Sequence, residues 1–168
     1  DKVARILSLP YPGGPNVQRL AENGKNTVPL PTCLVKNSGG QRFSYSGLKT
    51  AVLNYCHNKT QKGESFSRED VACSFQRAAI DPLVKKTVES AVKLGVPTVT
   101  AGGGVAANAY LRESLSAACA AAGKKLVLPE IKFCTDNAAM IAAEGLLQYK
   151  AGNFAKLDIN AAAQIPLK

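Results

Sequence analysis

The sequence predicts an α/β fold, rich in helix, around a small parallel sheet. Two observations carry this. From residue 96 on, short β-branched runs alternate with helical stretches, "VPTVTA" and "KLVLPE" each preceding a long alanine-rich segment. That alternation is the signature of parallel strands joined by helical crossovers. Upstream, the apolar residues recur mostly at helical spacing. A third observation is a shortage: only two strands read clearly, and a two-stranded sheet is marginal alone. Either helices carry the fold, or further strands of this sheet belong to chain outside this sequence.

In order, "KVARILSL" (2–9) sets Val3, Ile6 and Leu7 at helical spacing and closes at Pro10. After the turn-rich "PYPGGPN", Pro15 opens a short helix that Gly24 ends at its C′ position. Residues 25–46 are turn-rich, with extended pieces at "TCLV" and "RFSYS". From Ser46 a helix places Leu48, Val52 and Tyr55 on one face. Beyond the polar "KTQKGESFS", Ser67 caps a helix whose first turn holds Glu69 and Asp70. Val71, Phe75, Ala78 and Ala79 form its first stripe; Val84, Val88, Ala91 and Val92 form a second. Pro82 between them predicts a kink, or a restart capped by Asp81. Strand "VPTVTA", a helix over 105–122 ended by Gly123, strand "KLVLPE" closed by Pro129 and a helix over 135–150 complete the pattern.

The 168 residues suit one domain, 46% of them hydrophobic, and contain no apolar run long enough to span a membrane. A soluble, cytoplasmic chain is expected. Five widely spaced cysteines without a C-x-x-C pair fit buried thiols in a reducing compartment. The single methionine is Met140, which points to a processed product or a piece of a longer chain. Net charge is +9 and uneven: residues 1–62 hold nine Lys/Arg against two acids, residues 63–168 twelve against ten. A basic helical and loop subdomain over 1–62 is therefore expected beside a strand–helix–strand–helix core over 63–168. Its charge suits a polyanion such as RNA.

Glycines 102–104 follow a strand and precede a helix, where bare backbone N–H groups can approach a phosphate or ribose. The spacing fits neither a P-loop nor G-x-G-x-x-G. Local pattern leaves ligand contact and tight strand–helix packing equally open. Asn108, at the helix start, can reach a ligand edge or cap the backbone. Thr135, Asp136 and Asn137 read as an N-cap or as a carboxylate held for a metal. His57, in a polar stretch, reads as a surface residue. No H-E-x-x-H, serine elbow or Cys–His arrangement is present.

Taken together, "YPGGPNVQRLA", "FSYSGLKTAV", "GGGVAANAYLR" and "CTDNAAMIA" resemble the tRNA N6-threonylcarbamoyladenosine transferase family, once labelled O-sialoglycoprotein endopeptidase or glycoprotease. The resemblance runs from Asp1 to about Leu167. It implies an actin/sugar-kinase/Hsp70-like ATPase fold, two RNase H-like lobes about a nucleotide cleft, of which residues 1–168 are a C-terminal part. It implies that the family's H-x-x-x-H metal helix and "SGGH" turn lie upstream, and that the opening "DK" ends the D-D-x-x-G-E-x-x-D-K stretch.

Residue by residue, the resemblance makes Asp136 the third protein ligand of an iron or zinc ion. It assigns Asn108, Gly103 and Gly104 to the adenylate part of the substrate, and Asp1 to a substrate contact. Tyr45 stands where members carry Phe, and Pro82 departs from the expected helix. The implied reaction is transfer of threonylcarbamoyl from threonylcarbamoyl-AMP to N6 of adenosine 37, in tRNAs reading codons that begin with A. Implied partners are tRNA, a paralogous subunit and an ATPase. This chain alone is expected to be inactive. The alternatives are an assembly module self-associating through an open sheet edge, and a metallo-endopeptidase as the old label has it.

Overall fold

The structure is a computed structural model that describes residues 1–35 and 42–160. By its contacts the chain divides into two units, Asp1–Cys134 and Thr135–Lys168. The first holds helices α1 (Lys2–Ile6), α2 (Gly13–Glu22), α3 (Tyr45–Gln61), α4 (Arg68–Lys93) and α5 (Ala109–Ala121), and strands β1 (Thr98–Thr100) and β2 (Lys125–Val127). One-turn 3₁₀ helices lie at Gly104–Ala107 and Ile131–Phe133. The second unit holds α6 (Ala138–Lys150).

β1 and β2 pair in parallel, Thr98 opposite Lys125 and Thr100 opposite Val127, with α5 as the connection. The helix-rich architecture with a small parallel sheet is the one the sequence predicts. The two extended pieces of residues 25–46 also meet, Leu34 bridging Phe43 in antiparallel sense. The second is shorter than "RFSYS", because α3 begins at Tyr45.

Two cores organise the first unit. Val3, Ala4 and Leu7 of the α1 segment, Val17 and Ala21 of α2, Val52 and Cys56 of α3, and Val71 and Ala72 of α4 make one. Ile80, Val84 and Ala91 of α4, Val99 of β1, and Leu111, Leu115 and Cys119 of α5 make the other. α4 therefore belongs to both. It runs unbroken through Pro82, so the expected restart does not occur. A proline costs a helix interior about 3 kcal/mol. Burying Ile80 and Val84 on either side contributes about 1.5–3 kcal/mol each, enough to offset that loss. Asp81 caps nothing; its Oδ1 accepts from the Tyr110 hydroxyl at 2.7 Å. Ser67 does cap α4, accepting from Asp70 N–H at 3.0 Å.

The helix ends follow one device. Two residues beyond α4 and α5, Gly95 and Gly123 take the left-handed conformation, with bonds running back from Val96 N–H to Ala91 O and from Lys124 N–H to Cys119 O. After α1 the same geometry falls on Ser8, at φ 52°, with Leu9 N–H bonded to Ala4 O. The α1 helix thus stops at Ile6 rather than running to residue 9. Gly24 differs. It follows the end of α2, but what requires glycine is contact with α4: a Cβ there would lie 2.0 Å from Glu69 O.

All five cysteines are buried and unpaired. His57 is exposed. No helix among the described residues is long and apolar enough to cross a membrane.

Candidate functional site

A cleft of about 720 Å³ opens in the first unit between the chain's first residues, α2, α3, α4 and the start of α5. Its walls differ in chemistry. Val3, Val17, Phe75, Ala79, Ile80 and Leu83 form an apolar surface. Asp1, Lys2 and Lys49 supply charge, and Gln18, Gln76 and Asn108 supply amides. Such a cleft suits a ligand with a flat apolar body, polar edges and an anionic substituent.

Each polar group is placed by the backbone that carries it. Asp1 precedes α1, and its Oδ1 accepts from the Gly13 N–H at the start of α2, 2.7 Å away. The approach is so close that a Cβ on Gly13 would meet that oxygen at 2.5 Å. The glycine of "YPGGP" therefore serves Asp1, a role the sequence reading did not assign. Gly14 beside it also lines the cleft. The "FSYSG" motif contributes Tyr45 and, a turn later, Lys49.

Asn108 ends the 3₁₀ turn and caps α5: its Oδ1 accepts from Leu111 N–H at 2.9 Å. Its Nδ2 donates to Gln76 Oε1 of α4 at 3.2 Å. The next residue, Ala109, donates its N–H to Gln18 Oε1 of α2 at 3.0 Å. The first turn of α5 is thus fastened to two other helices by glutamines, Gln18 inside "YPGGPNVQRLA" and Gln76 outside every quoted motif. Arg112, a turn further on, donates to Ala106 O at 2.9 Å and Pro129 O at 3.1 Å. That explains the arginine of "AYLR" as a brace for the loops on either side of α5.

The glycine run departs from the packing expectation. Gly103 needs its left-handed φ of 86°. Yet a Cβ at Gly102, Gly103 or Gly104 would meet no atom within 4 Å. Close strand–helix packing does not account for these glycines. Val105 of the same turn lines the cleft; Gly103 and Gly104 are not among its lining residues.

In the second unit, Asn137 caps α6, accepting from Met140 N–H at 3.0 Å and donating to Thr135 O at 2.8 Å. Asp136 is left out of the cap, an exposed carboxylate. Among the described residues no three His, Cys, Asp or Glu side chains are grouped to hold a metal. Asp136 alone does not make a metal site, which usually needs three protein ligands.

Burial pushes the thiols of Cys33, Cys56 and Cys119 up, so none is poised as a thiolate nucleophile. The Tyr45 hydroxyl opposes that effect weakly at Cys33, while burial raises Tyr45 itself.

Comparison with known proteins sets the chain beside relatives whose names describe transfer of a group to tRNA. A family model described as TsaD, tRNA N6-adenosine threonylcarbamoyltransferase, matches residues 1–143, and the chain belongs to that family. Three curated relatives bear the same name. The chain is 47% identical to the one from Bacillus licheniformis, over 95% of its own length and 47% of the relative's. Identity to the Halalkalibacterium halodurans protein is 46%, over 100% and 49%. For the Bacillus thuringiensis (strain Al Hakam) protein it is 48%, over 96% and 47%. The chain spans about half the length of the curated relatives it matches.

Proposed function

We propose that this chain is the adenylate-binding part of a transferase that moves a threonylcarbamoyl group from threonylcarbamoyl-AMP to N6 of adenosine 37 in tRNA. What carries the reading is one juxtaposition: Asp1 and Asn108, far apart in the first unit's sequence, line a single cleft with an apolar floor and two lysines. The adenine would lie against Phe75 and Ile80, and Asn108 would donate to an acceptor on the nucleotide. Asp1, held by Gly13 N–H, would accept from a ribose hydroxyl. The N6 amine of the tRNA then attacks the threonylcarbamoyl carbonyl, the bond from that carbon to the phosphate oxygen breaks, AMP departs with the electron pair, and N6 gives up one proton to water. Holding donor and acceptor in line is the part of the rate such a site supplies by orientation.

Asp136 is, on this reading, one ligand of an iron or zinc ion whose other protein ligands lie in the part of the relatives this chain does not span. The chain works in the cytoplasm with tRNA, a paralogous subunit and an ATPase, and alone it is inactive. Its open two-stranded sheet is the edge through which a further copy or partner would add.

Calorimetric titration tests this. AMP is expected to bind the chain, and Asn108→Ser, which keeps a cap on α5, is expected to weaken binding about tenfold. The chain should transfer no threonylcarbamoyl to tRNA. Failure of AMP to bind sinks the adenylate assignment; transfer by the isolated chain sinks its inactivity.

A further inference from the structure

Asn108 has two claims on its side chain, and the geometry satisfies both at once. The cap on Leu111 N–H needs an acceptor, so it fixes Oδ1 toward the helix and leaves Nδ2 facing away. An amide has two hydrogens on that nitrogen. One goes to Gln76 Oε1 at 3.2 Å; the other has no partner among the described residues, and Asn108 lines the cleft. The amide cannot rotate to offer oxygen instead. A flip would bring Nδ2 against Leu111 N–H, donor on donor, and would lose the bond to Gln76 unless that amide turned as well.

We propose that Gln76 is a positioning residue for ligand recognition: it locks the Asn108 amide so that the cleft is offered one hydrogen-bond donor. The ligand atom that meets Asn108 must then be an acceptor, a ring nitrogen or an oxygen, and never an amino group. Gln18 assists by fixing the backbone, since its Oε1 holds Ala109 N–H. Sequence gives no hint of this, because Gln76 lies in the middle of α4, far from "GGGVAAN". The ligand half of the inference rests on the adenylate reading above; the positioning half does not.

The test uses the 168-residue chain labelled with ¹⁵N, with AMP as probe. In Gln76→Met, which keeps the side chain's length but loses the acceptor, the Asn108 side-chain amide pair should shift and broaden in the NMR spectrum. Gln76→Glu, which keeps an oxygen in place, should restore the pair to a bonded position. AMP binding should weaken about three- to tenfold in Gln76→Met, the range one net hydrogen bond spans. Combined with Asn108→Ser, Gln76→Met should add nothing further, because it acts only through Asn108. An Asn108 amide pair unmoved by Gln76→Met overturns the proposal. So does a double variant weaker than Asn108→Ser by the full Gln76→Met factor, which would make Gln76 a direct ligand contact. A wild-type chain that binds no AMP, yet whose Asn108 amide responds to Gln76→Met, supports the positioning bond and overturns the adenylate reading instead.

Discussion

Asp70 turns both carboxylate oxygens toward the loop after α2. Oδ1 accepts from Lys25 N–H at 2.8 Å and Oδ2 from the Thr27 hydroxyl at 2.9 Å. These bonds, the Lys25 N–H first, hold its carboxyl below the usual range. Bonds to the charged form stabilise the fold wherever the unfolded chain would also be ionised. The contribution is present above the ordinary carboxylate pKa and is lost as pH falls through the depressed one. Asp70→Asn should therefore lower the melting temperature at neutral pH and flatten its decline between about pH 5 and pH 3, as thermal unfolding across pH would record. A variant that keeps the full acid decline would show that other carboxylates govern it. At this scale the sequence was legible where a side chain acts on its own helix: Ser67 and Asn108 cap as their positions suggest. Gln18, Gln76 and Gly13 were not, because each acts on a residue distant in sequence, and single-sequence spacing records only near neighbours.

At the scale of elements, the helical period found each α-helix among the described residues, though it merged the 3₁₀ turn Gly104–Ala107 with α5, and glycine or polar punctuation found most of their ends. What escaped was decided by packing between elements. Pro82 reads as a break, yet two cores on one helix hold it together. Gly24 reads as a stop signal, yet its missing side chain makes room for the first turn of α4. Gly24→Ala should accordingly lower stability by about 1–3 kcal/mol, as overpacked sites do. Gly47→Ala, inside α3 with no atom within 4 Å of the added carbon, should raise it by about 0.5–1 kcal/mol. Chemical denaturation of the two variants makes the comparison; equal midpoints would mean that α2 and α4 can part without cost.

For the whole molecule, charge is the feature that sequence reports directly and structure refines. Lys59, Lys85, Lys86 and Lys132 pair with nearby glutamates. Lys2, Arg5, Lys25 and Lys49 of the basic front have no ion pair among the described residues, leaving their charge available. If tRNA is the partner, its affinity for the chain should fall about tenfold or more between roughly 50 and 200 mM salt. Fluorescence anisotropy at several salt concentrations measures this, and an affinity indifferent to salt would remove the basic front from the interaction. The proposed metal ligand was legible only as a motif: Asp136 is a single exposed carboxylate in the second unit, and one carboxylate carries no geometry of its own.

The first turn of α5 is held by Gln18 from α2, Gln76 from α4 and Asn108 from α5 itself. Its shape is therefore a joint property of three helices: α4 and the start of α5 set where the donor sits, α2 fixes the backbone beneath it, and loosening any one of them would blur the wall of the cleft.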